Sequence, residues 1–233
     1  MVNKVKKVIG GIGVAGLAAF VFAQSALATT VLTFEGLKNF EPIEDFYNGG
    51  VGGMGSSGPD YGISFTSDSL AVIAKDHGGT GNFTGSMAPS PGTLGFFLSG
   101  QGDTMNVFAG FDTGFSFFYT SPYWAGSVTV WDGLNGSGTQ LASLALDLTT
   151  DTSVATGYPY DDWRAQGVSF SGIAKSAVFS GVANEIGFDN ITLGSSVPQS
   201  TPDSGPTLGL LGLGLAGLFG VRRKICGDTV QSE

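Results

Sequence analysis

Short stretches in which apolar and polar residues alternate occupy the middle of this chain, and they constrain its fold more than any other feature. Side chains two residues apart lie on the same face of a β-strand, so each stretch predicts a strand with one buried face. The alternating residues are Leu32/Phe34, Ile63/Phe65, Met105/Val107/Ala109/Phe111, Phe115/Phe117/Tyr119, Val128/Val130, Leu144/Leu146/Leu148, Val168/Phe170 and Ile186/Phe188. Glycine-rich turns separate them, and no long helical period occurs between residues 29 and 196. We therefore expect an all-β domain over residues 29–196, an antiparallel β-sandwich with jelly-roll-like architecture.

Residues 126–148 predict a β-hairpin. Val128 and Val130 on its first strand would face inward together with Leu144 and Leu146 on its second strand. Asp-Gly and Asn-Gly dipeptides lie between the two strands and are typical of tight turns.

The N-terminal residues 1–28 predict a secretory signal peptide. Lysines precede an apolar run over residues 8–23, and the triplet Ala26-Leu27-Ala28 has the small residues that signal peptidase requires. We expect cleavage after Ala28. The alternative is a membrane anchor that is retained.

The C-terminal part of the chain has three successive segments. A linker rich in proline and serine covers residues 197–206, an apolar segment at 207–221 predicts a transmembrane helix, and a basic tail occupies 222–233. The basic cluster would keep the tail on the cytoplasmic side of the membrane.

This C-terminal arrangement resembles the VPDSG variant of the PEP-CTERM sorting signal of Gram-negative bacteria. Thr201 stands where the motif usually has valine, and the chain continues beyond the basic cluster. The resemblance implies export, transient membrane anchoring, and recognition by an exosortase-type membrane protease before the protein reaches the cell surface or extracellular polymer. The residues that carry it are Pro202, Asp203, Ser204, Gly205, Arg222 and Arg223.

The charge of the middle domain excludes several classes of partner. Residues 29–196 contain sixteen acidic and four basic residues, a net charge of −12. Such a surface repels nucleic acid and anionic lipid but is compatible with divalent cations and neutral glycans. The whole chain has one cysteine and one histidine, which excludes an intrachain disulfide and any metal site built on several imidazoles.

The last predicted strand changes its alternation at Asp189-Asn190. Ile186 and Phe188 share one parity, whereas Ile191 and Leu193 share the other, so the strand must absorb an extra residue as a bulge.

The TFEG, GISF and GFDNITL strings resemble exported β-sandwich domains that often precede PEP-CTERM signals and are similar to carbohydrate-binding jelly rolls. In such modules an acid near the first strand and an aspartate on the last strand commonly hold a structural Ca2+. The resemblance therefore implies Glu35 and Asp189 as calcium ligands, completed by backbone carbonyls. The alternative is a bulge aspartate that accepts hydrogen bonds from nearby backbone N–H groups.

Two loops combine aromatic rings with polar neighbours, as carbohydrate-binding surfaces do. We expect them to bind sugar, although Trp163 could equally begin a strand and belong to the core. Their aromatic residues are Tyr123, Trp124, Tyr158, Tyr160 and Trp163.

The neighbouring carboxylates Asp161 and Asp162, with Asp151 close by in sequence, raise the possibility of a glycosidase acid pair. Adjacent strand residues point to opposite faces, so we expect solvated loop acids instead. No nucleophile elbow of the G-x-S-x-G type is present.

We therefore expect a non-enzymatic exported protein of the cell surface or extracellular matrix, sorted by an exosortase-type system and associated with polysaccharide. Two alternatives stay open, namely a purely structural surface protein without a specific ligand and a secreted glycan hydrolase.

Overall fold

The computed structural model describes residues 29–100 and 102–200, which form β-strands joined by loops and short helical turns. The strands are β1 (Thr30–Leu32), β2 (Ile63–Phe65), β3 (Ser69–Ile73), β4 (Thr93–Phe97), β5 (Gly102–Phe111), β6 (Gly114–Thr120), β7 (Gly126–Trp131), β8 (Gln140–Leu146), β9 (Arg164–Ser169), β10 (Ala174–Ser180) and β11 (Gly187–Leu193). A one-turn helix α1 (Ser153–Thr156) and two 3₁₀ turns (Lys75–His77 and Leu134–Gly136) lie in the loops. The predicted all-β class is confirmed.

The strands form two antiparallel sheets. The first sheet has the order β3-β4-β11-β6-β9, with β1 also paired to β11, and the second has the order β2-β5-β10-β7-β8. The face of each sheet that looks away from the core is called its outer face below.

Phenylalanine side chains dominate the core between the sheets. Phe117 and Phe188 of the first sheet and Phe179 of the second are almost fully buried. The rings of Phe179 and Phe188 lie 4.7 Å apart with an interplanar angle of 65°. Burying each of these side chains contributes about 1.5–3 kcal/mol to stability.

The predicted hairpin at 126–148 is confirmed. Strands β7 and β8 pair with Val128 opposite Leu144 and with Gly126 opposite Leu146. Val128, Val130, Leu144 and Leu146 are all buried, as the alternation predicts. Leu148 falls beyond the end of β8 and is 48% exposed, so the predicted alternation ends one step too late.

Two other strands depart from strict alternation. In β11 the register against β6 shifts between Asp189 and Thr192, and Asn190 has a φ of 47°, so the predicted bulge is confirmed. In β5 the pairing with β10 also shifts, and Ala109 is exposed instead of buried. The prediction for Ala109 is therefore wrong, because the ladder is irregular here: Phe108 and Ala109 are both exposed, and the alternation returns at the buried Phe111.

Part of the first sheet's outer face is covered by residues 195–199. Ser116 Oγ donates to the carbonyl of Ser195 at 2.9 Å, and the N–H of Gln199 donates to Thr192 Oγ1 at 3.2 Å. Gly167 of β9 lies directly beneath Ser196, where a Cβ atom would overlap the backbone. Small residues on β6, β9 and β11 thus let the chain lie close to the sheet as it leaves the sandwich.

The predicted signal peptide (1–28), transmembrane helix (207–221) and basic tail (222–233) lie outside the described residues. Within the two described ranges, no helix is both long and apolar enough to cross a membrane.

Candidate functional site

An open groove of about 360 Å³ lies on the outer face of the first sheet. A row of paired residues from four adjacent strands forms its floor. Val72 of β3 pairs with Leu94 of β4, and Gly187 of β11 pairs with Thr120 of β6. The Leu94 side chain joins these pairs, since a Cβ on Gly187 would lie 3.0 Å from Leu94 Cδ2 and 3.3 Å from Thr120 Cγ2. The groove therefore runs across the strands, and the glycine deepens its centre.

Thr120 contributes a polar group to this apolar floor. Its residue is fully buried, and its Oγ1 atom has no hydrogen-bond partner in the described part of the chain. Leaving a buried hydroxyl unpaired costs about 1–3 kcal/mol, so Thr120 is a local cost to stability in the floor of the groove.

Two tyrosines form one wall of the groove. Tyr123 and Tyr160 lie edge to face, with ring centroids 6.0 Å apart. Tyr160 Oη donates to Glu185 Oε2 at 2.8 Å, and Tyr123 Oη donates to Asp151 Oδ2 at 3.1 Å. Burial, assisted by the neighbouring Glu185 carboxylate, raises the pKa of Tyr160, which stays a hydrogen-bond donor at physiological pH. The two rings are thus held in place before any ligand binds.

The lining of the groove contains further aromatic and amide groups. Phe40 is 39% exposed and packs edge to face on Phe96, with centroids 6.1 Å apart. Asn82 and Asn184 add amide groups to the lining. The sequence prediction missed all four residues, together with Thr120 and Glu185.

Asp161 connects the two loops that flank the groove. It is 3% exposed, and its Oδ1 accepts the N–H of Thr84 at 2.7 Å. The N–H of Tyr160 donates to the carbonyl of Asn82 at 3.3 Å and makes a second link between the same loops. The expectation that Asp161 is a solvated loop acid is therefore wrong, because the carboxylate is needed inside the protein to pair a backbone N–H.

Asp162 and Asp151 have different partners from Asp161. Asp162 accepts the N–H of Thr150 at 2.6 Å and lies 3.5 Å from the Arg164 guanidinium. These donors and the guanidinium charge outweigh a burial effect of opposite sign and lower the Asp162 pKa. Asp151 accepts hydrogen bonds from Ser153 and Tyr123, and these lower its pKa as well. The two adjacent aspartates thus serve separate structural contacts.

The five predicted aromatic residues fall in different places. Tyr123 and Tyr160 line the groove, whereas Trp124, Tyr158 and Trp163 do not. Trp124 is 51% exposed beside the groove. Trp163 is partly buried against a small apolar cluster beneath the groove and packs on Phe83 with centroids 6.1 Å apart. The core alternative for Trp163 thus describes its position better than the loop alternative does.

Glu35 and Asp189, the predicted calcium ligands, both lie next to Ser90. Asp189 is fully buried and accepts bonds from the Ser90 N–H at 2.9 Å and the Asn190 N–H at 2.7 Å. The Ser90 hydroxyl lies 2.8 Å from Asp189 Oδ1. Glu35 accepts the N–H of Thr93 at 2.9 Å.

Burial is the main cause that raises the pKa of both carboxyl groups, and it brings that of Asp189 to about 8. The negative charge of Glu35 adds to the effect on Asp189. The next residue, Asn190, has a buried side chain whose Oδ1 and Nδ2 are both unpaired within the described residues. Carboxylate oxygens such as those of Glu35 and Asp189 are the ligands that a hard cation such as Ca2+ prefers. The described residues contain no group of three or more acidic, histidine or cysteine side chains around one such point, so backbone carbonyls would have to complete the shell.

Comparison with known proteins identifies the C-terminal segment. Residues 202–225 match the family model of the VPDSG-CTERM motif. The chain carries a VPDSG-CTERM sorting signal. No curated protein matches the chain.

Three solved structures are similar to part of this chain. One is a glycoside hydrolase family 43 arabinoxylan arabinofuranohydrolase from Bacillus subtilis in complex with cellotetraose, with 16% identity, 57% of this chain and 26% of that chain covered, and a TM-score of 0.38. The second is a family 6 carbohydrate-binding module, with 16% identity, coverages of 57% and 87%, and a TM-score of 0.37. The third is a carbohydrate-binding module from Cellvibrio mixtus lichenase 5A in complex with cellotriose, with 13% identity, coverages of 55% and 88%, and a TM-score of 0.34. This chain thus spans about a quarter of the length of the hydrolase.

Proposed function

We propose that this chain is a non-enzymatic exported protein whose β-sandwich binds polysaccharide at the cell surface or in the extracellular matrix. The observation that carries the proposal is the groove on the first sheet. Its exposed aromatic rings offer flat faces to sugar rings, and its amide, carboxylate and hydroxyl groups offer partners to sugar hydroxyls.

The groove is arranged for binding rather than hydrolysis. Glycosidases of the common kinds need two carboxyl groups flanking the scissile bond. Among the described residues that line the groove, Glu185 is the only carboxylate, and it already accepts the hydrogen bond of Tyr160. This favours the binding function over the hydrolase alternative.

The sorting signal supports delivery to the surface. In this proposal signal peptidase removes residues 1–28, the helix at 207–221 anchors the protein transiently, and an exosortase-type protease processes the chain near Pro202–Gly205. The sandwich would then remain in contact with extracellular polysaccharide.

A structural Ca2+ at Glu35 and Asp189 is a second element of the proposal. The ion would neutralise two carboxylates that otherwise repel each other, and it would link the chain after β1 to the bulge of β11. Its effect would be on stability rather than on the groove itself.

The binding function can be tested with two neighbouring aromatic residues. Tyr123 and Trp124 are exposed to similar extents, 47% and 51%, but only Tyr123 lines the groove. The purified full chain in mild detergent is run through gels that contain soluble polysaccharides, and its retardation measures binding. At least one polysaccharide should retard the protein, and Tyr123→Ala should weaken that binding about tenfold or more, since a lost aromatic contact costs its buried area and its ring interaction.

Trp124→Ala is the matched control and should bind as the unaltered protein does. If Trp124→Ala loses binding while Tyr123→Ala keeps it, the site lies elsewhere on the loop. If no polysaccharide retards the protein, the purely structural alternative replaces the binding function.

A further inference from the structure

The charge of the groove limits which sugar chains it can hold. Every residue that lines it belongs to the described part of the chain, and none of them is lysine, arginine or histidine. Glu185 lies in the wall, and Asp151 lies directly behind Tyr123. An anionic sugar would therefore meet negative charge without a cation to pair with it.

The floor provides the second restriction. Val72, Leu94 and Gly187 present only apolar atoms or backbone to the groove. A carboxylate held against this floor would be desolvated by apolar side chains, which is unfavourable.

We infer that the groove selects uncharged glycans over polymers of uronic acids. This inference rests on the proposed polysaccharide-binding function and adds the class of polysaccharide. Glu185 is the lining residue whose charge determines the selection.

The test uses pairs of polysaccharides that differ in charge at one carbon. Mannan, galactan and glucan are each compared with the polymer made by oxidising their own C6 hydroxyl groups to carboxylates, so that the linkage is the same within a pair, using the full chain and the same gels. At least one neutral member should bind, and its acidic counterpart should bind about tenfold more weakly or worse at low salt, because like charges across an interface are strongly unfavourable. The difference should narrow as salt is added, since the screening length falls from about 30 Å at 0.01 M to about 3 Å at 1 M.

One variant assigns the selection to Glu185. Glu185→Gln keeps an acceptor for Tyr160 but removes the charge, and it should narrow the difference in binding between the neutral polymer and its acidic counterpart. Thr104→Val on the outer face of the second sheet is the control and should leave this difference unchanged.

The possible results distinguish the inference from the function on which it rests. Equal or tighter binding of the acidic members would overturn the inference and leave the binding function intact. An unchanged difference in Glu185→Gln would overturn the role of Glu185. Absence of binding to every member of the panel would overturn the binding function itself.

Discussion

The polar side chains on the outer faces of the two sheets differ in their hydrogen bonding. On the second sheet, the loop around the 3₁₀ turn Leu134–Gly136 lies over the strands and forms hydrogen bonds with their polar side chains. Asn106 Nδ2 donates to Asn135 Oδ1 at 2.8 Å, and the N–H of Gly136 donates to Ser176 Oγ at 3.0 Å. On the first sheet, Thr120 Oγ1 is buried in the floor of the groove and has no partner among the described residues. A buried polar group that the chain itself pairs contributes to the fold, whereas one that is left unpaired costs stability.

The apolar side chains show the same contrast. Leu94 and Phe96 of the first sheet lie on the outer face, where they line the groove and are buried in a second apolar cluster with Phe83. The corresponding face of the second sheet carries Thr104, Asn106 and Thr129. A sheet with a polar outer face can leave that face in water. A sheet that is apolar on both faces needs loops or a ligand over its outer face.

The largest expected effect concerns Asp103, whose carboxyl group faces the core between the sheets and has one oxygen without a partner in the described residues. Asp103 is buried, Ser69 Oγ donates to its Oδ2 at 2.7 Å, and its Oδ1 has no partner within the described residues. Burial raises its pKa to about 7, and the charge of Asp68 acts in the same direction. The protonated form is therefore favoured in the folded protein, and the stability that this provides below pH 4 is lost as the pH rises through 7.

Asp103→Asn should therefore be more stable than the unaltered protein at pH 8, by on the order of 4 kcal/mol, while the two should agree near pH 4. Urea unfolding of both proteins across this pH range measures the difference. Asp147→Asn replaces an exposed acid and should show no such divergence. If the free energies of unfolding of Asp103→Asn and the unaltered protein changed with pH in the same way, the core would tolerate the charge. The unpaired oxygen would then have no measurable cost.

The second prediction tests whether Ca2+ binds at the bulge of β11 on the first sheet. A Ca2+ site with a Kd a hundredfold below the free ion concentration should add about 2.7 kcal/mol. For a domain of this size, the unfolding temperature in millimolar Ca2+ should then exceed that in chelator by roughly 5 to 10 °C. Asp189→Asn should abolish the difference, and Asp147→Asn should retain it. If chelator does not change the unfolding temperature, the calcium proposal is wrong. Asp189 is then a bulge residue whose partners are Ser90 and Asn190.

The sequence allowed prediction of those strands whose two faces differ in polarity. The hairpin of β7 and β8 followed from Val128, Val130, Leu144 and Leu146 because only one face of each strand is buried. Strand β4 was missed because all five of its residues are buried, so its two faces do not differ in hydrophobicity. Periodicity is visible only where solvent contacts one side of a strand.

The groove was only partly predictable for a related reason. Tyr123 and Tyr160 could be selected because they lie in polar loops, where an aromatic ring is conspicuous. Thr120 and Gly187 are ordinary strand residues, and their importance comes from the pairing of β6 with β11, which brings together residues far apart in the sequence. Alternation predicts which face a residue occupies but not which strand lies beside it.

A smaller effect concerns the loops that hold the groove open. Asp161→Ala removes the acceptor of the Thr84 N–H and should lower the free energy of unfolding by about 2 kcal/mol, the range for a hydrogen bond to a charged group. It should also weaken glycan binding, because the two flanking loops lose one of their links. Asp162→Ala is the matched control, since its partners Thr150 and Arg164 do not line the groove. If both variants bind glycan as the unaltered protein does, the loops do not depend on this link.

The smallest expected effect concerns the outer face of the second sheet, which the loop around Leu134–Gly136 covers. Asn106→Ala removes the partner of the Asn135 side chain and of the Asn135 N–H on the second sheet, and it should cost about 1 kcal/mol of stability because these groups remain partly accessible to water. Glycan binding should be unchanged. Thr120→Val on the first sheet should keep or raise stability, because it removes a buried hydroxyl that has no partner among the described residues. Urea unfolding and gel retardation of both variants measure stability and binding. A loss of binding in Asn106→Ala or a loss of stability in Thr120→Val would contradict the contrast between the two outer faces.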